Sequence, residues 1–303
     1  MPVGGFARSA AILALGGSIL IPVARAQQYS ESAAVKPVGL NFDVGISFDD
    51  NVTRSMGPGQ KLSDQALNFN ANKSEIVGLS DNSRLVVQGF LGAERFRTYV
   101  GLSRVFAGVQ GQYQYRPSGD FGAPTYELSA RASVDGYETA QRDGFRHALG
   151  AGVRGPLSDR VTMFAALAHN QRIATSSIFS TRENSGRVNL DYAISGKATL
   201  YVTGEYRRGT VVSTGLATLA NVDVAELIVR DAAFTDTARF AYRVKARTYL
   251  GTLGFNYAID EQNALDFSWR WVKSTPNSQP NFNGAEHVSY SVNQYNLTYL
   301  FRF

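Results

Sequence analysis

The chain has 303 residues, of which 44% are hydrophobic and 18% charged, with 29 glycines, 15 tyrosines, 18 phenylalanines and no cysteine. Without thiols there are no disulfide scaffolds, thiolate zinc sites or cysteine nucleophiles, and a mean hydropathy of -0.16 speaks against a polytopic helical membrane protein, which needs repeated apolar runs of about 20 residues. The formal charge of +5 would suit nucleic acid, but Arg8 and Arg25 lie in a segment with the marks of an export signal.

That segment opens the chain. Ser9 to Ile21 is an apolar run too short to span a bilayer comfortably, and Ala24-Arg25-Ala26 supplies the small-x-small pattern that signal peptidase requires. The expected organisation is a cleaved signal peptide over 1–26, a periplasmic segment over 27–37 and one domain over 38–303. An exported chain of this kind has no nucleic acid among its expected partners.

Beyond the signal the hydrophobic period is two almost everywhere. Leu40, Phe42, Val44, Ile46 and Phe48 alternate with Asn41, Asp43, Gly45 and Ser47; Tyr126, Leu128, Ala130, Ala132 and Val134 alternate with Glu127, Ser129, Arg131, Ser133 and Asp135. Such alternation marks strands with one apolar and one polar face. Twelve strands are expected, at about 38–49, 67–79, 84–96, 103–116, 125–137, 145–155, 161–172, 186–194, 198–207, 240–259, 264–272 and 289–303. Ten and fourteen are the alternatives, because Lys73 and Glu75 share one face of the second strand and call for a bulge or a stretch outside the membrane. Short links such as 80–83 and 195–197 take turns with long polar ones such as 50–65 and 208–238. An up-and-down transmembrane β-barrel has this layout, with aromatic residues near the strand ends of its lipid face and a wet interior.

The polar faces then name candidate pore-lining residues: Arg104, Arg116, Glu127, Arg131, Arg154, Arg187, Asp191, Glu205, Arg207, Asp266 and Arg270. Their slight arginine excess implies a mild preference for anions. Chemistry is harder to place. The histidines, His147, His169 and His287, lie on different elements without metal-ligand spacing, and no GxSxG elbow occurs. No catalytic, cofactor or metal residues are therefore expected.

The last segment, Tyr295 to Phe303, carries Leu297, Tyr299, Phe301 and Phe303 at alternate positions and resembles the C-terminal assembly signal of Gram-negative outer-membrane barrels. The resemblance implies an outer-membrane location, with Tyr299, Phe301 and Phe303 read by the barrel assembly machinery and periplasmic chaperones. It also implies a porin-like protein in contact with lipid, passing small hydrophilic solutes without a cofactor. Two further resemblances open alternatives. Phe48-Asp49-Asp50-Asn51-Val52-Thr53-Arg54 is similar to a segment of barrels associated with exopolysaccharide export, which implies a sleeve or docking partner for an envelope protein. His287-Val288-Ser289, with Asn293 beyond it, resembles the His and Ser of outer-membrane phospholipases, whereas the plain reading makes them residues of a loop-to-strand junction.

The longest connection, Arg208 to Ala238, is too apolar in its middle for a solvated loop. Leu216, Leu219, Ala220, Val224, Leu227 and Ile228 approximate a helical stripe. Either it folds inward and narrows the lumen, or the flanking strands extend and pack it as an outer hairpin.

Overall fold

The computed structural model describes residues 40–57, 59–120, 122–284 and 287–303. The expected signal peptide and the segment 27–37 lie outside the described residues. Thirteen strands follow in chain order: β1 Leu40–Asp49, β2 Asp64–Ser80, β3 Ser83–Phe96, β4 Arg104–Tyr115, β5 Thr125–Tyr137, β6 Gly144–Pro156, β7 Val161–Ala174, β8 Thr181–Ala193, β9 Ala198–Leu216, β10 Leu227–Arg230, β11 Arg239–Ala258, β12 Asn263–Pro276 and β13 Tyr290–Arg302. One short helix, α1 Leu219–Val224, precedes β10.

Every ladder is antiparallel between chain neighbours, except that β9 pairs with β11 and β13 returns to β1. Twelve strands thereby close a barrel in which the first and last strands pair with each other. The thirteenth, β10, pairs with β11 from Leu227↔Arg243 to Arg230↔Phe240, above the point where the β12 ladder stops at Ala246↔Pro276.

The wall obeys the alternation. Leu128 and Leu149 are each 59% exposed on the outside and Leu167 is 71% exposed, while Arg104, Glu127, Ser133 and Asn189 are buried on the inner face. Such a belt suits contact with hydrocarbon. Aromatic pairs lie along it: Phe48 with Tyr295 at 6.4 Å between centroids and Tyr206 with Tyr249 at 5.2 Å.

At one end, which also holds Leu40 and Phe303, the connections are mostly tight. Asp260 folds one of them: its carboxylate accepts from the backbone N–H of Gln262 and Asn263 and from the Asn263 side chain. The Asn263 side-chain bond, followed by the backbone bonds, holds this exposed carboxyl below the usual carboxylate range. Lys73 and Glu75 both point outward near this end and pair at 3.0 Å; the register irregularity falls later, between Gly78 and Ser80.

At the opposite end several strands run beyond their expected limits. β8 begins at Thr181 rather than near 186, and β9 reaches Leu216 rather than 207. Here the two faces exchange character. Along β11 the outward side chains change from Tyr257, Phe255, Leu253 and Tyr249 to Arg247 and Lys245, and the inward ones from Asn256, Thr252 and Thr248 to Ala246 and Val244. The hydrophobic core therefore sits at the loop end, in three buried clusters.

Candidate functional site: lumen and roof

The three clusters join connections that arise on different sides of the barrel. Ala233 and Phe234, from the β9–β11 connection, pack with Leu102, Tyr99 and Phe96 of the β3–β4 side and with Val52 and Leu62 of the β1–β2 connection. In the strand order, β3–β4 lies across the barrel from β9–β11. The long connection therefore spans the mouth as a roof. Gly101 permits its landing, since a Cβ there would meet the Cα of Ala233 at 2.6 Å. A second cluster places Met56 and Val224 among Val244, Val288, Tyr290 and Val292, and a third sets Ile178 and Phe179 against Ala241.

Polar bonds fix the roof. Asp231 is completely buried; its carboxylate pairs with Arg142 at 2.6 Å and accepts from the Thr214 hydroxyl at 2.7 Å. Thr214 also donates its backbone N–H to Thr53 at 2.7 Å, and Gln60 accepts from the N–H of Leu216 at 2.8 Å. In the β1–β2 connection Arg54 adopts a left-handed φ of 55° and forks onto both oxygens of Asp49 at 2.9 and 2.7 Å. Burial opposes the Arg54 charge, but the Asp49 carboxylate outweighs it, so the guanidinium is held more firmly protonated than usual. The remaining residues of the Phe48–Arg54 segment are also engaged within the fold. Asp50 accepts from Asn293, and the fully buried Asn51 accepts from Thr53 and Ser55.

Beneath the roof an ionic ladder crosses the wall from β3 to β7. Arg104 pairs with Glu94 at 2.6 Å, Arg146 with Asp135 at 2.6 Å and Arg172 with Asp135 at 3.3 Å. The Tyr137 hydroxyl accepts from Arg104 and Arg146. Charge-assisted bonds of this kind stiffen a wall.

Lower still, a chamber of about 540 Å³ opens inside the barrel. Eight of the candidate residues line it: Arg104, Glu127, Arg131, Arg154, Arg187, Glu205, Asp266 and Arg270. Arg207 lies in a side recess with Arg187, Thr203, Glu205 and Arg270, paired with Glu205 at 2.7 Å and Glu183 at 3.4 Å. Arg116 sits past the end of β4, bonded to the Asp120 carbonyl, and Asp191 accepts from Asn189; neither lines the chamber. Arg154 meets Glu127 at 3.5 Å. Arg131, Arg187 and Arg270 have no ion-pair partner among the described residues. Arg131 rests on the Phe90 ring at 4.0 Å, and Arg187 and Arg154 lie over Phe164 at 5.1 and 4.8 Å. Sequence reasoning passed over Glu94, Arg146, Arg172, Phe90 and Phe164. Strand parity alone would have placed Glu94, Arg146 and Arg172 inside.

The remaining candidates are quickly placed. Ser289 accepts from Lys273 at 2.8 Å and shares no hydrogen bond with His287, while Asn293 is taken up by Asp50 and Trp269. Among the described residues no group of three or more His, Asp or Glu could hold a metal ion. In the C-terminal segment the Tyr299 and Phe301 rings lie 4.4 Å apart between centroids, tilted by 51°, and the Phe303 ring meets Phe42 at 5.9 Å.

Comparison with solved structures gives the architecture a counterpart. The COG4313 outer membrane channel from Pseudomonas putida F1 superposes over 88% of this chain and 97% of its own, with a TM-score of 0.56 and 12% identity. The fold is that of an outer-membrane barrel. The NanC porin aligns over 86% of this chain and 100% of its own, at a TM-score of 0.46 and 10% identity. The KdgM porin in complex with disordered oligogalacturonate aligns over 87% of this chain and 99% of its own, at a TM-score of 0.43 and 10% identity. No family model matches the sequence, and no curated protein matches it.

Proposed function

We propose that the protein is a passive outer-membrane channel for small hydrophilic solutes, exported by cleavage after Ala26 and inserted with its loop end outward. The assembly machinery and periplasmic chaperones would handle its aromatic C-terminus. The observation that carries the reading is the chamber: a polar, charged interior inside a wall whose outside is apolar, with Arg131, Arg187 and Arg270 outside any ion pair among the described residues. Fixed positive charge in a narrow aqueous path favours anions, so the selectivity is mild and anionic. No catalytic step is assigned, because Ser289 is bonded to Lys273 rather than to His287.

Purified protein in planar bilayers should give discrete conductance steps, with a reversal potential in a salt gradient of the anion-selective sign. Silence of a correctly inserted barrel would overturn the channel. The roof favours a second reading, a non-conducting sleeve that docks an envelope or exopolysaccharide-export partner, and silence is the result that reading expects.

A further inference from the structure

The outer wall of β7, β8, β9 and β11 carries two consecutive outward-facing rungs of opposite character. The lower rung is Leu167, Gly186, Tyr206 and Tyr249, joined in register across the four strands. Leu167 and Tyr249 are 71% and 51% exposed. Two residues nearer the loop end the rung reads His169, Asn184, Arg208 and Arg247, again in register. Tyr249 is flanked on β12 by Lys273.

Arg208 and Arg247 stand directly opposite each other on adjacent strands, both exposed. Like charges in that position destabilise a sheet, and neither has a carboxylate partner among the described residues. Nearby Lys245 differs, being paired with Glu226 at 2.7 Å. Across the barrel, the exposed Arg95 at the end of β3 is matched by Glu138 at 3.0 Å. Uncompensated positive charge thus stands on β9 and β11 at the level where the outside of the wall turns from apolar to polar. An anion held at the membrane boundary would relieve the Arg208–Arg247 repulsion. A planar guanidinium suits phosphate, which accepts two parallel hydrogen bonds. His169 and Asn184, themselves joined at 2.7 Å, extend the rung with sugar-like hydrogen-bonding partners.

We propose that Arg208 and Arg247 form a binding site for the phosphorylated headgroup of a glycolipid in the outer leaflet, with acyl chains lying along Tyr206, Tyr249 and Leu167. The site rests on the membrane placement proposed above, but not on conduction through the lumen. It explains why two bare arginines face each other just above an aromatic pair.

The test uses the full mature chain in detergent, titrated with diphosphoryl lipid A and followed by native mass spectrometry. Wild-type protein should retain the lipid, and R208S/R247S should bind it about thirtyfold more weakly, as expected for two interfacial cations. R208K/R247K should lose less, and R95S should bind as wild type. Unchanged gel migration of the unheated, folded barrel confirms that each variant is intact; if the double variant does not fold, R208S alone carries the comparison. Equal binding of phosphate-free lipid A, an unaffected R208S/R247S, or complete displacement by equimolar inorganic phosphate would overturn the site. Flotation of wild-type protein with uncharged vesicles tests the membrane placement separately, since it requires the belt and not the arginines.

Discussion

The belt and the roof are built from the same strands under opposite rules. Within the belt β11 turns Tyr257, Phe255 and Leu253 outward and Asn256 and Thr252 inward; beyond Thr248 it turns Arg247 and Lys245 outward and Ala246 and Val244 inward. β13 does the same on its inner face, where Asn296 and Gln294 give way to the buried Val292 and Tyr290. The backbone ladder continues through the change without a break. Solvent therefore decides which face is apolar. The belt has an apolar medium outside and a wet chamber inside, whereas the roof has water outside and buries its apolar groups on one another, as a soluble domain does.

The largest test removes one side of this comparison. Replacing 217–238 with a short Gly/Ser linker should leave a folded barrel, because closure does not depend on those residues. We expect larger single-channel conductance with weaker ion selectivity; an unchanged conductance would take the roof out of the conduction path.

A narrower break is Asp231→Ala, which strands the Arg142 guanidinium under the roof. Loss of one partner of a buried pair costs about 3–5 kcal/mol, and the cost should appear as faster hydrogen exchange at 231–239 with the belt unaffected. Uniform loss of protection around the barrel would show that roof and belt are one cooperative unit.

Substitution by arginine sharpens the belt side. Leu190→Arg or Leu128→Arg, on the exposed apolar face, should each cost about 2–4 kcal/mol in folding into lipid vesicles. Asn189→Arg and Ser129→Arg face the interior and should be tolerated far better, and equal penalties would contradict the register.

The smallest effect lies at the tight-turn end. Because the Asp260 carboxyl is held below its ordinary range, its contribution is fully present above the unfolded value of about 3.9. It is lost as the pH falls through the folded value. Amide resonances of Gln262 and Asn263 should shift in that acid window, and Asp260→Asn should abolish the shift with the barrel otherwise unchanged.

Period two made the belt legible, since strands such as Tyr126 to Val134 alternate without a fault. It misled where the medium changes. Arg182, Glu183, Asn184 and Ser185 are polar on both faces and read as loop, yet β8 already runs through them above the belt. The expected end of β9 near 207 falls where outward Arg208 and Thr210, with inward Val211, reverse the phase, while the strand itself runs on to Leu216. The apolar stripe from Leu216 to Val229 is genuine, but only Leu219–Val224 is helical. Thr218 caps it by accepting from the Asn221 N–H at 3.2 Å. Beyond Ala225 the uncovered edge of β11 offers a ladder, and Leu227–Arg230 takes it as β10. Both expectations for this connection hold a part of the outcome: the strands extend, and the segment between them lies across the mouth. The lumen charges followed from parity, but which arginines would stay unpaired depended on side-chain reach across strands, as with Arg207 meeting both Glu183 and Glu205.

The contact of Phe234 with Tyr99, at 5.2 Å between ring centroids, orders events in time. These rings belong to connections on opposite walls, so they can meet only after the strands between them have paired and the cylinder is complete. Contacts of such long sequence separation form late because the chain between the partners must be fixed first. Until then Phe234 and Ala233 lack the cover of Leu102 and Tyr99, and a nascent chain carries these apolar side chains exposed at its loop end. The roof thus records that closure has happened: it is the part of the molecule that a half-assembled barrel cannot make.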